Sequence, residues 1–317
     1  IPNKNKNAKE AYQRVTYYRG LEFYNERAFS NAISMFLKSH NFVIDSEIDA
    51  LTTYWMAEAM YEVKKYTEAV ENFETFLALP IAKKTDVYNF ANYALGYAAF
   101  EGENYKKATV SFLKFLNDSK TDNNTTNDAI LRLADSYFAL KDYNSALTYY
   151  NQAIANKVSG VDYALFQLGM IEGLQNKSDL KITTHQSLLA QFPTSNYADD
   201  AAFEIGYTHF IKGNLDKAKS ELNTFVQAYP RSSYIPRALI TIGLVQYNQN
   251  QDKDALESFK RVVKEYPSTD EAKQALESIK NIYLDQSDAN GFLAYANSTN
   301  IGNYSIAEQD RITFQAA

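Results

Sequence analysis

The residues that could do acid, base, metal or thiol chemistry are few and scattered. The 317-residue chain has no cysteine, which excludes disulfides, thiol nucleophiles and thiolate metal ligands. Its histidines, His40, His185 and His209, lie far apart and form no HExxH motif, and the acidic pair Asp199 and Asp200 stands where a helix start favours negative charge. No nucleophile elbow and no phosphate-binding glycine loop occurs. We therefore predict no catalytic residue, no metal site, no cofactor and no enzyme activity.

Charge and hydropathy narrow the range of partners. The net charge is −6 and the pI is about 5.3, and no stripe of lysine and arginine accumulates along the chain. This argues against nucleic acid as a partner and against a polybasic membrane patch. No run of apolar residues is long enough to span a bilayer. The sequence as given contains no signal peptide, and we expect any targeting signal to lie upstream of it.

A repeat explains how the remaining residues are organised. The stretches QFPTSNY, AYPRSSY and EYPSTDE place Pro193, Pro230 and Pro267 at equal 37-residue intervals. A glycine precedes each proline by 24 residues, and in most units an alanine follows this small residue after 12 positions and an aromatic after 16. Extending that register upstream gives seven units. Their small residues lie 35 to 39 positions apart, at Gly20, Ala57, Gly96, Ala134, Gly169, Gly206 and Gly243.

Each unit predicts two antiparallel helices. Apolar residues at three- and four-residue steps form one stripe before a polar break and a second stripe after it, and the small residues let the two helices approach closely. Proline ends the second helix, and the serine or threonine that follows caps the next one; Ser268 with Glu271 fits a capping box. The fifth unit has Lys181 and His185 where alanine and an aromatic are expected, so we expect looser packing there.

The pattern of small, aromatic, alanine, aromatic and proline residues resembles the tetratricopeptide repeat over about residues 10–285. The longer period and the YPxS ending are more similar to repeats of bacterial cell-envelope proteins, such as the Tol–Pal-associated coordinator and the outer-membrane assembly lipoprotein. The stretches NYALGYAAF and IKNIYLDQSD resemble large multi-repeat proteins common in Bacteroidetes. The resemblance implies an all-α, right-handed superhelical solenoid of about seven helix-turn-helix units.

The expected domain organisation is a single array with a short tail. After the units comes a capping helix to about 285, a linker at 286–304, and the start of a further helix at 305–317, opened by Ser305 and Glu308. We expect the chain to be a fragment of a longer protein, and an apolar edge at Ile312 and Phe314 would allow self-association through that end. The units lie near 13–46, 50–83, 89–122, 127–160, 162–195, 199–232 and 236–269.

In the resembled fold, the first helix of each unit lines a concave groove, and that groove is the expected binding site. Repeats that grip acidic chaperone tails use lysine and asparagine there, but this chain has aromatic residues, leucine, Glu58 and Asp135, so we predict no binding of acidic tails. An aromatic groove suits a peptide or a partner's helix. The groove candidates are Tyr54, Tyr61, Tyr93, Tyr97, Phe100, Phe138, Phe166, Phe203, Tyr207, Phe210 and Tyr247.

Three functions remain open at this point. The first is a non-catalytic protein-protein interaction scaffold in the periplasm or at the outer membrane. The second is a glycan-binding module that uses aromatic platforms, although the single tryptophan, Trp55, falls near a packing position. The third is a cytoplasmic regulator that senses a peptide pheromone, which would require an attached effector domain.

Overall fold

The computed structural model describes residues 5–118, 123–157, 159–299 and 301–315. The described residues form seventeen α-helices and one short 3-10 helix, with no strand among them, so the all-α expectation is confirmed. Parts of four predicted segments lie outside the described residues: 119–122 in the third unit, 158 in the fourth, 300 in the expected linker and 316–317 in the last helix. The chain divides into two compact units, Ile1–Ala164 and Leu165–Ala317.

Within the first unit, each helix packs antiparallel on the next, and alternate helices also touch: α1 with α3, α3 with α5 and α5 with α7. The first helices of successive hairpins therefore share one face. The 3-10 helix Pro80–Lys84 joins the second hairpin to the third. The helices are α1 (Lys6–Asn25), α2 (Phe29–His40), α3 (Ser46–Glu62), α4 (Tyr66–Ala78), α5 (Tyr88–Glu101), α6 (Tyr105–Asp118), α7 (Asn123–Ala139) and α8 (Tyr143–Asn156), followed by the first residues of α9 (Val161–Leu174).

The second unit repeats this arrangement, with α11 also touching α13, and α13 touching α15. Three of its helices end two residues before a proline. The residue between helix and proline leaves the helical region of the backbone, and these residues are Phe192, Tyr229 and Tyr266. After α9 its helices are α10 (Ser178–Gln191), α11 (Ala198–Ile211), α12 (Leu215–Ala228), α13 (Ile235–Asn248), α14 (Asp252–Glu265), α15 (Asp270–Asp285), α16 (Ala289–Asn297) and α17 (Ile306–Gln315).

All eight hairpin turns have one backbone geometry. In the second hairpin, Lys64 has a φ of 62°, its N–H donates to Tyr61 O at 2.9 Å, and the next N–H, of Lys65, donates to Met60 O at 2.8 Å. This pair of bonds is the Schellman motif, which satisfies two carbonyls at the helix end. The equivalent left-handed residues are Arg27, Glu103, Lys141, Asn176, Gly213, Asn250 and Ser287.

Close approach of the paired helices depends on the small residue of each unit. A Cβ added to Gly243 would lie 2.6 Å from the ring of Phe259, and one added to Gly96 would lie 2.7 Å from the ring of Phe112. Both rings are fully buried. The aromatic ring therefore packs directly on the small residue sixteen positions earlier, as their constant spacing predicts.

Four sequence expectations need correction. The 286–304 segment expected as a linker contains α16, whose Phe292 and Ala296 are fully buried. Helix α15 begins after Thr269, whose hydroxyl accepts from Ala272 N–H at 3.2 Å, so Thr269 and not Ser268 is the cap.

The other two corrections concern the fifth pair and the expected apolar edge. His185 is fully buried against Gly169, and the stem of Lys181 packs on Gly173, so the space between α9 and α10 is filled. The ammonium group of Lys181 continues to Glu204 on α11, at 2.5 Å. Of the two residues of the apolar edge, Ile312 is buried in the core and Phe314 is 83% exposed. Ser305 does precede α17, and its N–H donates to the Glu308 carboxylate at 2.7 Å.

Candidate partner-binding surface

An aromatic cleft lies where the first helices of the second and third hairpins, α3 and α5, run side by side. Its volume is about 380 Å³, at the small end of the range for ligand pockets. Residues one helical turn apart on each helix point into it, because positions four apart share a helix face. We call it the tyrosine cleft, and its lining is Tyr54, Glu58, Tyr61, Phe73, Phe90, Tyr93, Ala94 and Tyr97.

Glu58 places a carboxylate in the wall of the tyrosine cleft. Burial is the main cause that raises its pKa, and repulsion from Glu62, one turn later, raises it further. The hydroxyl of Tyr54 hydrogen-bonds to the carboxylate and opposes this rise. Burial is also the main cause that raises the pKa of the Tyr61 hydroxyl to about 12, and Glu101, Tyr66, Glu62 and Glu58 add to it. The electrostatic character of this end of the cleft is therefore negative.

The far wall of the cleft is held by a carboxylate from the next hairpin. Tyr93 and Tyr97 on α5 both donate to Asp128 Oδ2 on α7, at 2.7 and 2.5 Å. Burial and these bonds raise the pKa of both hydroxyls, so they remain protonated donors at neutral pH. The two rings meet edge to face, with centroids 5.0 Å apart. Asp128 thus fixes the orientation of two cleft tyrosines from a different helix pair.

A second carboxylate on α7 anchors another pair of tyrosines. Tyr150 and Tyr163 donate to Asp135 Oδ1 at 2.5 and 2.7 Å, and Arg132 Nη1 lies 2.7 Å from Asp135 Oδ2. Burial raises the pKa of Asp135, and the guanidinium of Arg132 and the two hydroxyls oppose that shift. Arg132 therefore forms its ion pair with the carboxylate on its own helix.

In the second unit, aromatic rings stack beneath a cation. Phe203 lies parallel to Tyr207 and to Tyr234, with centroids 5.6 and 4.7 Å away, and the guanidinium of Arg237 lies 4.6 Å from the Tyr207 ring. Phe203 has no exposed surface, so it cannot itself contact a partner and instead supports Tyr207 and Tyr234. Tyr207 is partly exposed beside the cation.

The structure brings four of the predicted groove residues together in the tyrosine cleft, stacks Phe203 and Tyr207 in the second unit, and places the others apart. Tyr54, Tyr61, Tyr93 and Tyr97 line one cleft, although Tyr54 is only 6% exposed. The remaining members pack on local neighbours: Phe100 on Tyr105 and Phe138 on Tyr143 at the hairpin turns, Phe166 on His185 and Tyr197, Phe210 on Tyr207, and Tyr247 on Asp285.

Sequence reasoning missed the polar groups that orient these rings. The repeat pattern does not predict Asp128 or Arg132 as functional residues, and it marks Asp135 only as a feature that disfavours acidic tails. Their spacing of four and three residues places all three on one face of α7, the same face that carries aromatic residues in the preceding hairpins. Charged residues at groove positions are therefore the signal in the sequence that points to them.

Within the described ranges, no group of three histidine, cysteine, aspartate or glutamate residues could hold a metal ion. No described helix is both long enough and apolar enough to cross a membrane.

Comparison with known families agrees with this architecture. A tetratricopeptide repeat model matches residues 128–156, and an outer membrane lipoprotein model matches residues 162–287. No curated protein matches the chain in sequence. The helix hairpins and these matches show that the chain has a tetratricopeptide-repeat fold.

Two solved structures share the fold over most of this chain. The C-terminal part of a TPR repeat-containing protein from Cytophaga hutchinsonii is 15% identical, with a TM-score of 0.66 over 82% of this chain and 98% of that one. A tetratricopeptide repeat protein from Parabacteroides merdae is 13% identical, with a TM-score of 0.53 over 84% of this chain and 98% of that one.

Proposed function

We propose that the chain is a non-catalytic scaffold that docks an extended peptide or a helix of a partner protein in the tyrosine cleft. The observation that carries this proposal is the cleft itself, a concave site with ring faces on both walls and a carboxylate among them. Aromatic rings supply contact area at low cost in side-chain entropy, and burial of a partner's side chains between them would supply the affinity.

The polar groups of the cleft suit binding better than catalysis. Tyr93 and Tyr97 donate to Asp128, and their raised pKa values oppose a role as general bases near neutral pH. Tetratricopeptide repeats commonly present such surfaces to proteins and peptides, which supports a protein partner over a small substrate.

We further propose a location in the bacterial envelope, in the periplasm or at the outer membrane. The support is the match of residues 162–287 to the outer membrane lipoprotein family. Fractionation of cells that express the full-length protein tests this half of the proposal; recovery of the protein in the cytoplasm alone would overturn it.

Docking is tested by capture of partners from an envelope extract. Phe90 is 41% exposed at the cleft and Tyr18 is 55% exposed on α1, outside the cleft, so Phe90→Ala and Tyr18→Ala form a test and a control that both remove an exposed ring. Tyr97→Ala removes a second cleft ring. We expect a protein partner that is retained by the unmodified chain and by Tyr18→Ala, and lost with the two cleft variants.

The captured partner is then titrated against all four proteins by calorimetry. Equal affinity for all four would place the contact outside the cleft and contradict the proposal. Capture of a polysaccharide instead of a protein, with the same sensitivity to Tyr97→Ala, would favour the glycan-binding alternative.

A further inference from the structure

The tyrosine cleft combines ring faces with negative charge that has no matching cation. Among the described residues, no lysine or arginine forms an ion pair with Glu58, Glu62 or Glu101. Asp128 accepts from Tyr93 and Tyr97, and the guanidinium of Arg132, whose charge also acts on Asp128, pairs with Asp135. The hydroxyl of Tyr54 is the hydrogen-bonding group that opposes the raised pKa of Glu58.

Such a carboxylate makes the cleft selective for the charge of its occupant. An apolar side chain that filled the cleft would remove the remaining water from Glu58 and leave its charge uncompensated, which is unfavourable. An anionic side chain would add repulsion from Glu58 and Glu62. A cationic side chain would pair with Glu58 and would also be attracted to the faces of the surrounding rings.

We propose that the tyrosine cleft takes a lysine or arginine side chain of the docked partner, with the charged group at Glu58 and the methylene stem along Phe90 and Tyr61. This rests on the proposed function, because it specifies what the docked segment carries. Arginine fits better than lysine, since its planar guanidinium stacks on rings and is less strongly hydrated. The partner is therefore a protein segment with a basic residue among apolar ones.

The probe is a set of short alanine–serine peptides that differ at one central position, which is arginine, citrulline or glutamate. Citrulline has almost the shape of arginine and no charge, so the pair isolates the cation. Binding is followed by NMR of the 317-residue chain with labelled tyrosine rings, and Tyr61, Tyr93 and Tyr97 report on the cleft. We expect the arginine peptide to bind about tenfold tighter than the citrulline peptide and to shift these rings.

The matched substitutions are Glu58→Gln in the cleft and Glu257→Gln on the exposed surface of α14, which removes the same charge elsewhere. Glu58→Gln should abolish the advantage of arginine over citrulline, and Glu257→Gln should leave it unchanged. Thermal unfolding of both variants confirms that they are folded, and Phe90→Ala, which removes an exposed ring, gives a second cleft variant.

The outcomes separate this inference from the proposed function. Equal binding of the arginine and citrulline peptides, or a preference that survives Glu58→Gln, overturns the cation inference and leaves partner docking to be judged by the capture experiment. Absence of any shift at the cleft tyrosines with the arginine peptide overturns it as well.

Discussion

At the scale of single residues, each hairpin turn requires a backbone conformation that most of the residues found there disfavour. Each turn needs one residue with a left-handed backbone, and this conformation costs an L-residue with a Cβ about 1–2 kcal/mol. Lysine, arginine, glutamate or serine occupies the position in five turns, asparagine in two, and glycine only at Gly213. The turn geometry is therefore imposed by the packing of the two helices and by the Schellman bonds.

Gly213 provides a direct test of that cost. Its φ is 75°, and a Cβ there would meet no atom within 4 Å, so Gly213→Ala changes backbone preference without a clash. We expect the variant to lose about 1 kcal/mol of unfolding free energy, measured by urea denaturation. Gly213→Asn is the control, because asparagine tolerates this conformation, and it should lose less. An alanine variant as stable as the parent would show that the turn imposes no strain.

The sequence predicted the residue register well and the helix caps less well. The pairing of Gly243 with Phe259 follows from a fixed spacing of sixteen residues, which reports helix geometry directly. The capping-box pattern predicts Ser268 as the cap of α15, but Thr269 accepts the bond. Two adjacent hydroxyl residues follow Pro267, and the sequence does not distinguish between them. Only the closure of the turn in three dimensions selects between them.

At the scale of elements, the hairpin of α15 and α16 shows how a repeat can escape detection. Counting back seven residues from the left-handed Ser287, as in the other turns, places Lys280 where the small residue belongs. Phe292 then occupies the alanine position and Ala296 the aromatic position, and both are fully buried. The large and small side chains have exchanged places. A search for the original order therefore finds no unit and predicts a linker.

The contribution of α16 to the core is measurable with two matched substitutions. Phe292 has no exposed surface and its ring lies 5.5 Å from that of Tyr304, whereas Phe314 on α17 is 83% exposed. We expect Phe292→Ala to lower the free energy of unfolding by about 3–5 kcal/mol, because it leaves a cavity among α15, α16 and α17.

Phe314→Ala makes the same chemical change on the surface and should alter stability by less than about 0.5 kcal/mol. The readout is denaturant unfolding at low protein concentration, so that association of exposed surfaces does not contribute. Similar small losses in both variants would mean that α16 is peripheral, as a linker would be.

At the scale of the molecule, neighbouring repeats build the site jointly, and this limits what a single unit's sequence reveals. Tyr93 and Tyr97 donate to Asp128 across 35 and 31 positions, about one repeat length, and Tyr163 donates to Asp135 across 28. The aromatic positions followed from the repeat register. The carboxylate partners did not, because a bond between equivalent faces of adjacent hairpins depends on how the hairpins stack.

Buried ionisable groups give the chain a stability that depends on pH in two opposite directions. Burial lowers the pKa of His185 to about 4, below its ordinary 6.5, so the folded state binds fewer protons than the unfolded state and stability falls as pH decreases from 6.5 to 4. Burial raises the pKa of Glu58 above its ordinary 4.5, so the folded state retains a proton longer and stability falls as pH rises above about 4.5.

Two substitutions separate these contributions, because each removes one of the two opposite pH dependences of stability. At pH 5 the ionisation of unfolded His185 costs about 2 kcal/mol, so His185→Phe should be more stable than the parent by about that amount at pH 5 and nearly unchanged in this respect at pH 8. Phenylalanine also matches Phe259, the ring found at this position in the α13–α14 hairpin.

Glu58→Gln should show the reverse dependence. Near pH 4 the side chains of Glu58 and of the glutamine that replaces it are both neutral in the folded state, and the two proteins should have similar stability. As pH rises, the folded parent must ionise a largely buried carboxylate or keep its proton, and either is unfavourable relative to the unfolded state. The variant therefore gains stability relative to the parent. Urea denaturation at several pH values measures both profiles. Since the cleft needs an ionised Glu58 to bind a cation, a variant that gains stability and loses the arginine preference would show that this carboxylate is kept for binding at a cost to the fold.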